Sequence, residues 1–476
     1  MEEKIMIKTY LLPAAVAMFV AAACAMPHGT SAGAAELKNV TLPPFEEHTL
    51  DNGLRVFIME TREVPLVTVR LLVPAGSAQD APGKEGVANL TARMLLKGAG
   101  GRTAEEIAEY IEGMGGRLEA EADRDYTLLT GDFMSRDLGS ALEIVGDVIL
   151  RPEFPEGEYE REKSIVSAEI RGIRENPYYF ATERFVEALA GDHPYAHPVA
   201  GSESSIGAVN RDDLVSFHGD FYSPHGAILA VVGDVDSKKA LKSIKKELGA
   251  WKGTPVSRQL PKLGEQRFPG RRVIIIDKPD VTQSQIRIGN IAAGRGTPHY
   301  FQLEVANNVL GGGFTSRLMK EIRVLRGLSY GARSLQQQFE AGGVFYIVTF
   351  TKNESLREAI DVALDEVRKI REIPVGEEEL ESNERYISGL FPFELETNGH
   401  LAYWLTELAF YGLGTEFVEN YRSRIDAVES AGVQEVAEKY FHVDDCMILL
   451  LTNYEGVKDQ LEGLGRIEVI PFEDIE

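Results

Sequence analysis

Apolar side chains come in two dense runs near the start of the folded chain, Leu54-Arg55-Val56-Phe57-Ile58 and Leu66-Val67-Thr68-Val69-Arg70-Leu71-Leu72-Val73, separated by a charged turn. Short runs rich in β-branched residues and bounded by turn residues predict paired strands. The pattern returns later as Arg272-Val273-Ile274-Ile275-Ile276, the turn Asp277-Lys278-Pro279-Asp280, and Gln283-Ser284-Gln285-Ile286-Arg287-Ile288, an offset of 217 residues. Val87-Ala88-Asn89-Leu90 returns as Val305-Ala306-Asn307-Asn308 at an offset of 218. Phe221-Tyr222 ahead of the run from Ile228 to Val232 returns as Tyr440-Phe441 ahead of Met447 to Leu451, at 219. So small a drift predicts a duplicated unit. Amphipathic stretches such as Thr103 to Met114 and Ser355 to Ile370 add helices to each copy. Two α+β domains are therefore expected, each a largely antiparallel sheet with helices packed on one face. The segment from Trp251 to Gly270 carries Pro255, Pro261 and Pro269 with little periodicity, which makes residues 253–270 a linker between domains at 36–252 and 271–476.

Residues 1–35 read as an export signal and spacer. Lys4 and Lys8 precede a mostly apolar run from Tyr10 to Ala23 that is too short to span a bilayer, with small-residue cleavage patterns at Ala23-Cys24-Ala25 and Ala32-Gly33-Ala34. The expectation is a chain secreted across the membrane into the periplasm. A lipid anchor on Cys24 is the open alternative, weakened by Ala21 where lipoprotein signals usually carry Leu. The formal charge of −24 disfavours nucleic acid and anionic lipid as partners, and solubility is its plain account. Cys446, the only other cysteine, leads into an apolar run, so it is expected as a buried thiol.

The stretch from Glu85 to Gly98 has Val87, Leu90, Thr91, Met94 and Leu95 at helical core spacing. It resembles the zinc helix of the pitrilysin, insulinase and mitochondrial processing peptidase family, inverted zincins whose motif is H-x-x-E-H. In that family two His on one helical face hold zinc, and the Glu beside the second acts as general base on the metal-bound water. Here Asn89, Ala92 and Arg93 take those places. Asn is a poor zinc ligand, Ala supplies no base, and Arg brings a fixed positive charge where the cation would sit. The family's third ligand is a Glu on a later helix, and the segment from Glu160 to Ile170 resembles that element, with Glu169 at the ligand position and Glu162 one heptad earlier. Both carboxylates fit an ordinary helix surface; facing Arg93, they suggest instead that a guanidinium takes the electrostatic place of the metal. His193 and His197 form the only close His pair, and Pro194 and Pro198 make that segment a loop rather than a ligand-bearing helix.

In the second copy, Asn308 to Leu318 runs into Met319-Lys320-Glu321-Ile322-Arg323-Val324-Leu325-Arg326-Gly327-Leu328-Ser329-Tyr330. Active members of the family carry an Arg and a Tyr seven residues apart in this setting, as Arg323 and Tyr330 are. The resemblance implies that both bind the substrate backbone and stabilise charge on the tetrahedral intermediate. A surface Arg and a Tyr packed at a strand start are the plainer account. Gly311, Gly312 and Gly313 permit positive φ and close backbone approach; they stand where the non-catalytic mitochondrial subunit has its glycine-rich recognition loop, and a tight turn explains them equally well.

The resemblance spans roughly residues 39–455 and implies two pitrilysin-like domains with one degraded and one intact motif. It implies a non-zinc subunit, with no catalytic residue sufficient on this chain alone and no cofactor of its own. That subunit would bind extended peptide or unfolded protein and complete the active site of a zinc-bearing homologous partner. The rivals are a structural protein of the same fold, like the respiratory core subunits, and a homodimeric peptide-binding protein.

Overall fold

The computed structural model describes residues 40–255, 260–264 and 269–475. The expected export signal, Cys24 and linker residues 256–259 and 265–268 lie outside these. In the first half the strands are β1 (Phe45–Thr49), β2 (Arg55–Glu60), β3 (Leu66–Val73), the short pair β4 (Gly98–Ala99) and β5 (Arg102–Thr103), β6 (Arg117–Ala122), β7 (Thr127–Met134) and β8 (Ile228–Gly233). In the second they are β9 (Arg272–Asp277), β10 (Gln283–Ala292), β11 (Ala332–Gln338), β12 (Gly343–Lys352), β13 (Met447–Thr452) and β14 (Arg466–Pro471).

The sheet orders are β1-β2-β8-β3-β7-β6 and β11-β12-β10-β13-β9-β14. Read from opposite ends they are one topology, in which β2, β8, β3, β7, β6 become β9, β13, β10, β12, β11. Even the single parallel pair inside each shared set recurs, Arg55 opposite Ile228 in β2–β8 and Arg272 opposite Met447 in β9–β13. A crossover through the middle of a largely antiparallel sheet is a specific arrangement, so its recurrence establishes two copies of one α+β unit.

Alternation along the strands explains how each sheet is covered. Val56, Ile58, Val69, Leu71, Leu229 and Val231 pack beneath the first half's own helices. Their neighbours Phe57, Met59, Leu72, Ile228, Ala230 and Val232 point the other way, into the core that contains Leu401, Leu405 and Leu408 of the helix Asn398–Phe410. That helix belongs to the second half. The loan is returned: Phe180, Phe185, Val186 and Leu189 of the first-half helix Pro177–Ala190 pack on Ile274, Ile276, Tyr346 and Leu449 of the second sheet. Each fully buried side chain of this size contributes about 1.5–3 kcal/mol.

Matched polar contacts fix the two lent helices. Arg70 in β3 donates from Nε to Thr406 Oγ1 at 2.9 Å, its guanidinium 5.3 Å from the Tyr403 ring centroid. Arg287 in β10 donates from Nε to Thr182 Oγ1 at 3.0 Å and from Nη2 to the Tyr178 carbonyl at 2.7 Å. Tyr403-Trp404-Leu405-Thr406-Glu407 and Tyr179-Phe180-Ala181-Thr182-Glu183 are the same helical turn in the two copies. Arg287 is completely buried, so these donors have no water to turn to and the contacts hold the halves together. The described part of the linker is also tied down: Leu263 N–H donates to the Ala341 carbonyl at 2.8 Å, and His193 Nε2 lies 2.7 Å from the Pro261 carbonyl.

Candidate functional site

The helix Val87–Met94 starts where Gly86 turns the backbone at φ 97°. The Asp80 carboxylate accepts the Gly86 and Ala88 N–H groups at 2.7 and 3.0 Å, which caps donors that a helix start leaves unpaired. Ala92 is completely buried in the core, while Arg93 points at the helix Glu156–Glu175. Its Nε donates to Glu162 at 3.0 Å; its Nη1 and Nη2 donate to the two oxygens of Glu169 at 3.1 and 3.2 Å. One guanidinium therefore bridges both carboxylates. Lys97, which the sequence reading missed, lies 2.9 Å from the other oxygen of Glu162. Glu162 is buried, and burial raises a carboxyl pKa, yet Lys97 and Arg93 outweigh that and hold it below its ordinary range. Asn89 is half-buried on the same helix.

These residues do not fit a zinc ion. The cation position is filled by a covalently attached guanidinium, and the donor set offers carboxylates already bound to it. Among the described residues no group of three or more His, Cys, Asp or Glu side chains is placed to hold a metal. His193 and His197 sit in a loop, and the Tyr195 between them is buried, donating its hydroxyl to Asp125.

The second copy presents the opposite picture. Two π-helical turns, Asn308–Gly312 and Met319–Leu325, flank the loop that carries Phe314; such turns are rare in proteins. Gly311 is buried, and a Cβ there would collide with the backbone nitrogen of Ser334. None of Gly311, Gly312 and Gly313 takes a positive φ, contrary to the freedom their sequence suggests, because close packing rather than turn geometry selects the first of them. Only Gly312 is exposed. Positive φ falls instead on Gly327, at 61°.

Leu328 N–H donates to the Ile322 carbonyl at 2.9 Å, which closes the exposed stretch 323–327 running from the end of the second π-helical turn to Gly327, with Arg323 at its start. Tyr330 lies just past its end. Hydroxyls on β12 pin this region from beneath: Thr351 donates to the Leu328 carbonyl at 2.7 Å and Thr349 to the Gly331 carbonyl at 2.9 Å. Arg317, paired with Glu379 at 2.8 and 2.6 Å, anchors the preceding turn. Between these two bonded carbonyls Tyr330 is 83% exposed. Arg323 is exposed too, and no carboxylate among the described residues lies within salt-bridge distance of it; its guanidinium rests 5.1 Å from the Phe314 ring centroid. Phe314, Val324 and Leu325 escaped the sequence reading, since no period or motif marks them.

A duplicated α+β unit with the same strand order in both halves defines the class: a pitrilysin-like fold. The insulinase profile of peptidase family M16 matches residues 55–203, and the profile of the peptidase M16 inactive domain matches residues 208–385. A protein from Mycobacterium leprae, named an uncharacterized zinc protease, is 31% identical over 299 residues, covering 63% of this chain and 67% of its own length. The chain belongs to peptidase family M16. The crystal structure of a peptidase M16 inactive domain from Pseudomonas fluorescens superposes with a TM-score of 0.81 at 26% identity, covering 86% of this chain and 98% of that one. A chain of complex III2 from Candida albicans shares the fold, with a TM-score of 0.72 at 15% identity over 89% of this chain and 100% of that one.

Proposed function

We propose that this chain is the non-metal subunit of a two-chain zinc peptidase. It binds an extended peptide through Arg323 and Tyr330 while a homologous partner supplies the zinc and the general base. One observation carries the reading: among the described residues Arg323 and Tyr330 have no hydrogen-bonding partner, and they flank a stretch whose Leu328 carbonyl, like the Gly331 carbonyl just beyond it, is bonded from β12, so both donors are open to a developing oxyanion. Neither group needs to change protonation state. The export signal read in residues 1–35 supports action outside the cytoplasm, in the periplasm.

The test is purification from the native source, with metal analysis of each chain and peptidase assays on the separated and recombined subunits. The isolated chain should hold no stoichiometric zinc and cleave nothing, and the recombined pair should be active. Arg323→Ala or Tyr330→Phe should then lower turnover about a hundredfold to a thousandfold, the cost of roughly 2.7–4 kcal/mol for one lost oxyanion donor. Assembly and partner zinc should stay normal. A structural role without peptidase action is the second reading, and the shared fold with a complex III2 chain is what favours it. It takes over if both substitutions leave turnover of the recombined pair within about twofold.

A further inference from the structure

The four most exposed large apolar side chains among the described residues are Tyr330 at 83%, Phe314 at 73%, Val324 at 71% and Leu325 at 61%. All fall within one stretch of seventeen residues, and all flank Arg323. Soluble surfaces scatter such residues singly; a concentration of them marks a binding surface. Its charge is as informative. The chain carries an excess of 24 acidic groups, yet among the described residues no carboxylate lies within salt-bridge distance of Arg323, and its nearest acidic neighbour in sequence, Glu321, is bonded by Arg326. The guanidinium is therefore open to oxygen atoms brought by a ligand.

We propose that Phe314, Val324 and Leu325 form an apolar subsite beside the Arg/Tyr pair, selecting extended peptides that bear a bulky apolar side chain next to the backbone carbonyls held by Arg323. The proposal rests on the peptide-binding reading above. Consecutive residues of an extended peptide offer both requirements at once, carbonyl oxygens for the guanidinium and an apolar side chain for Val324 and Leu325. Phe314 is the positioning residue. Its ring lies within cation–π range of the Arg323 guanidinium and limits the orientations open to a side chain that no ion pair restrains.

The full-length chain, titrated with labelled extended peptides identical except for one central leucine or serine, tests this directly. The leucine peptide should bind on the order of tenfold tighter or more, the value of burying one such side chain. Val324→Ser combined with Leu325→Ser should erase that preference. Phe314→Leu should weaken both peptides by about twofold to fivefold, and Phe314→Trp should restore them. Arg323→Ala should weaken both peptides alike. If leucine and serine bind equally while Arg323→Ala still weakens both, the subsite falls and the peptide-binding reading survives. If Arg323→Ala changes nothing, or no peptide binds, both fall. Conversion of a self-associated chain to monomer by the double Ser variant, with peptide preference intact, would assign the patch to a contact between copies and overturn the proposal.

Discussion

The two copies of one fold have treated their charges in opposite ways. In the first, Arg93, Lys97, Glu162 and Glu169 pair with one another within hydrogen-bond distance around the enclosed Glu162. In the second, Arg323 and Tyr330 are exposed and leave their polar ends to solvent, while the neighbouring Leu328 and Gly331 carbonyls are bonded from β12. A site whose charges are internally neutralised contributes to stability and has little left to bind with; a site whose donors are exposed and unpaired contributes little to stability and is ready for a ligand. Counting on from Asn89 and Asn307 at their offset of 218, the position of Arg93 falls at Gly311, where a strand packs too closely for any side chain. At that position the second copy therefore has no room for a counterpart of Arg93.

The largest effect that would break this contrast is on stability. Glu162→Ala leaves Arg93 and Lys97 facing each other without their shared counter-charge. Removing one partner of a buried ion pair costs about 3–5 kcal/mol, and the lower end, about 3 kcal/mol, is expected because both cations keep partial contact with water. Urea denaturation should show a lower midpoint at unchanged slope. Arg323→Ala should stay within about 0.5 kcal/mol of the parent, as a surface change does. If the two variants changed stability by similar amounts, the opposition between a self-satisfied and an open site would be wrong.

A smaller effect sharpens the comparison inside the cluster itself. Glu169 is 49% exposed at its side chain, whereas Glu162 is nearly enclosed. Glu169→Ala should therefore cost less than about 1 kcal/mol, in the range of exposed pairs, even though Glu169 makes two of the hydrogen bonds to Arg93. A loss equal to that of Glu162→Ala would show that hydrogen-bond number, not burial, sets the energy.

What the sequence could show follows the same division. The duplication was legible because strands and turns repeat locally at nearly constant offset; the pairing of Arg93 with Glu162 or Glu169 was legible only through the family resemblance, which sets Glu169 opposite Arg93, and heptad spacing added that Glu162 shares its face. The sequence suggests a helix through Gly98, where four-residue spacing would set Lys97 beside Arg93; the helix instead ends at Met94, and Lys97 reaches Glu162 from the turn beyond it. The exchange of helices between halves was not legible. Pro177–Ala190 and Asn398–Phe410 have apolar faces that fit either sheet, and only tertiary packing decides which one they cover. Phe314, Val324 and Leu325 carry no pattern, since their importance lies in an exposure that no local rule encodes.

The finest test uses pH, and compares two buried carboxylates on corresponding helices. Glu162 lies on Glu156–Glu175 and Glu384 on Glu377–Leu390, the element that follows the same strand and helix in the second copy. Burial acts on both, but cations dominate around Glu162, while burial, Asp426 and Glu381 together push Glu384 up to about 7 against the pull of Arg385. Both would titrate near 4.5 in an unfolded chain. The signs then differ. Below 4.5 the unfolded chain takes up a proton at Glu162 before the folded one does, so its contribution is present above 4.5 and is lost as pH falls through the depressed folded value. Between 4.5 and about 7 the folded chain binds the extra proton at Glu384, so stability declines as pH rises across that window. Glu162→Gln should thus be less stable than the parent at neutral pH, with the gap closing below 4.5. Glu384→Gln should match the parent near pH 4.5 and gain on it up to about 7, then level off. Asp80 and Asp125, whose burial raises them to about 8 and about 6, bend the parent curve in the same direction as Glu384. The measured quantity is therefore the difference between each variant and the parent in urea midpoints taken from pH 4 to 8. Parallel curves for the two variants would mean that the copies handle buried charge alike, and the contrast between the closed and the open site would lose its electrostatic basis.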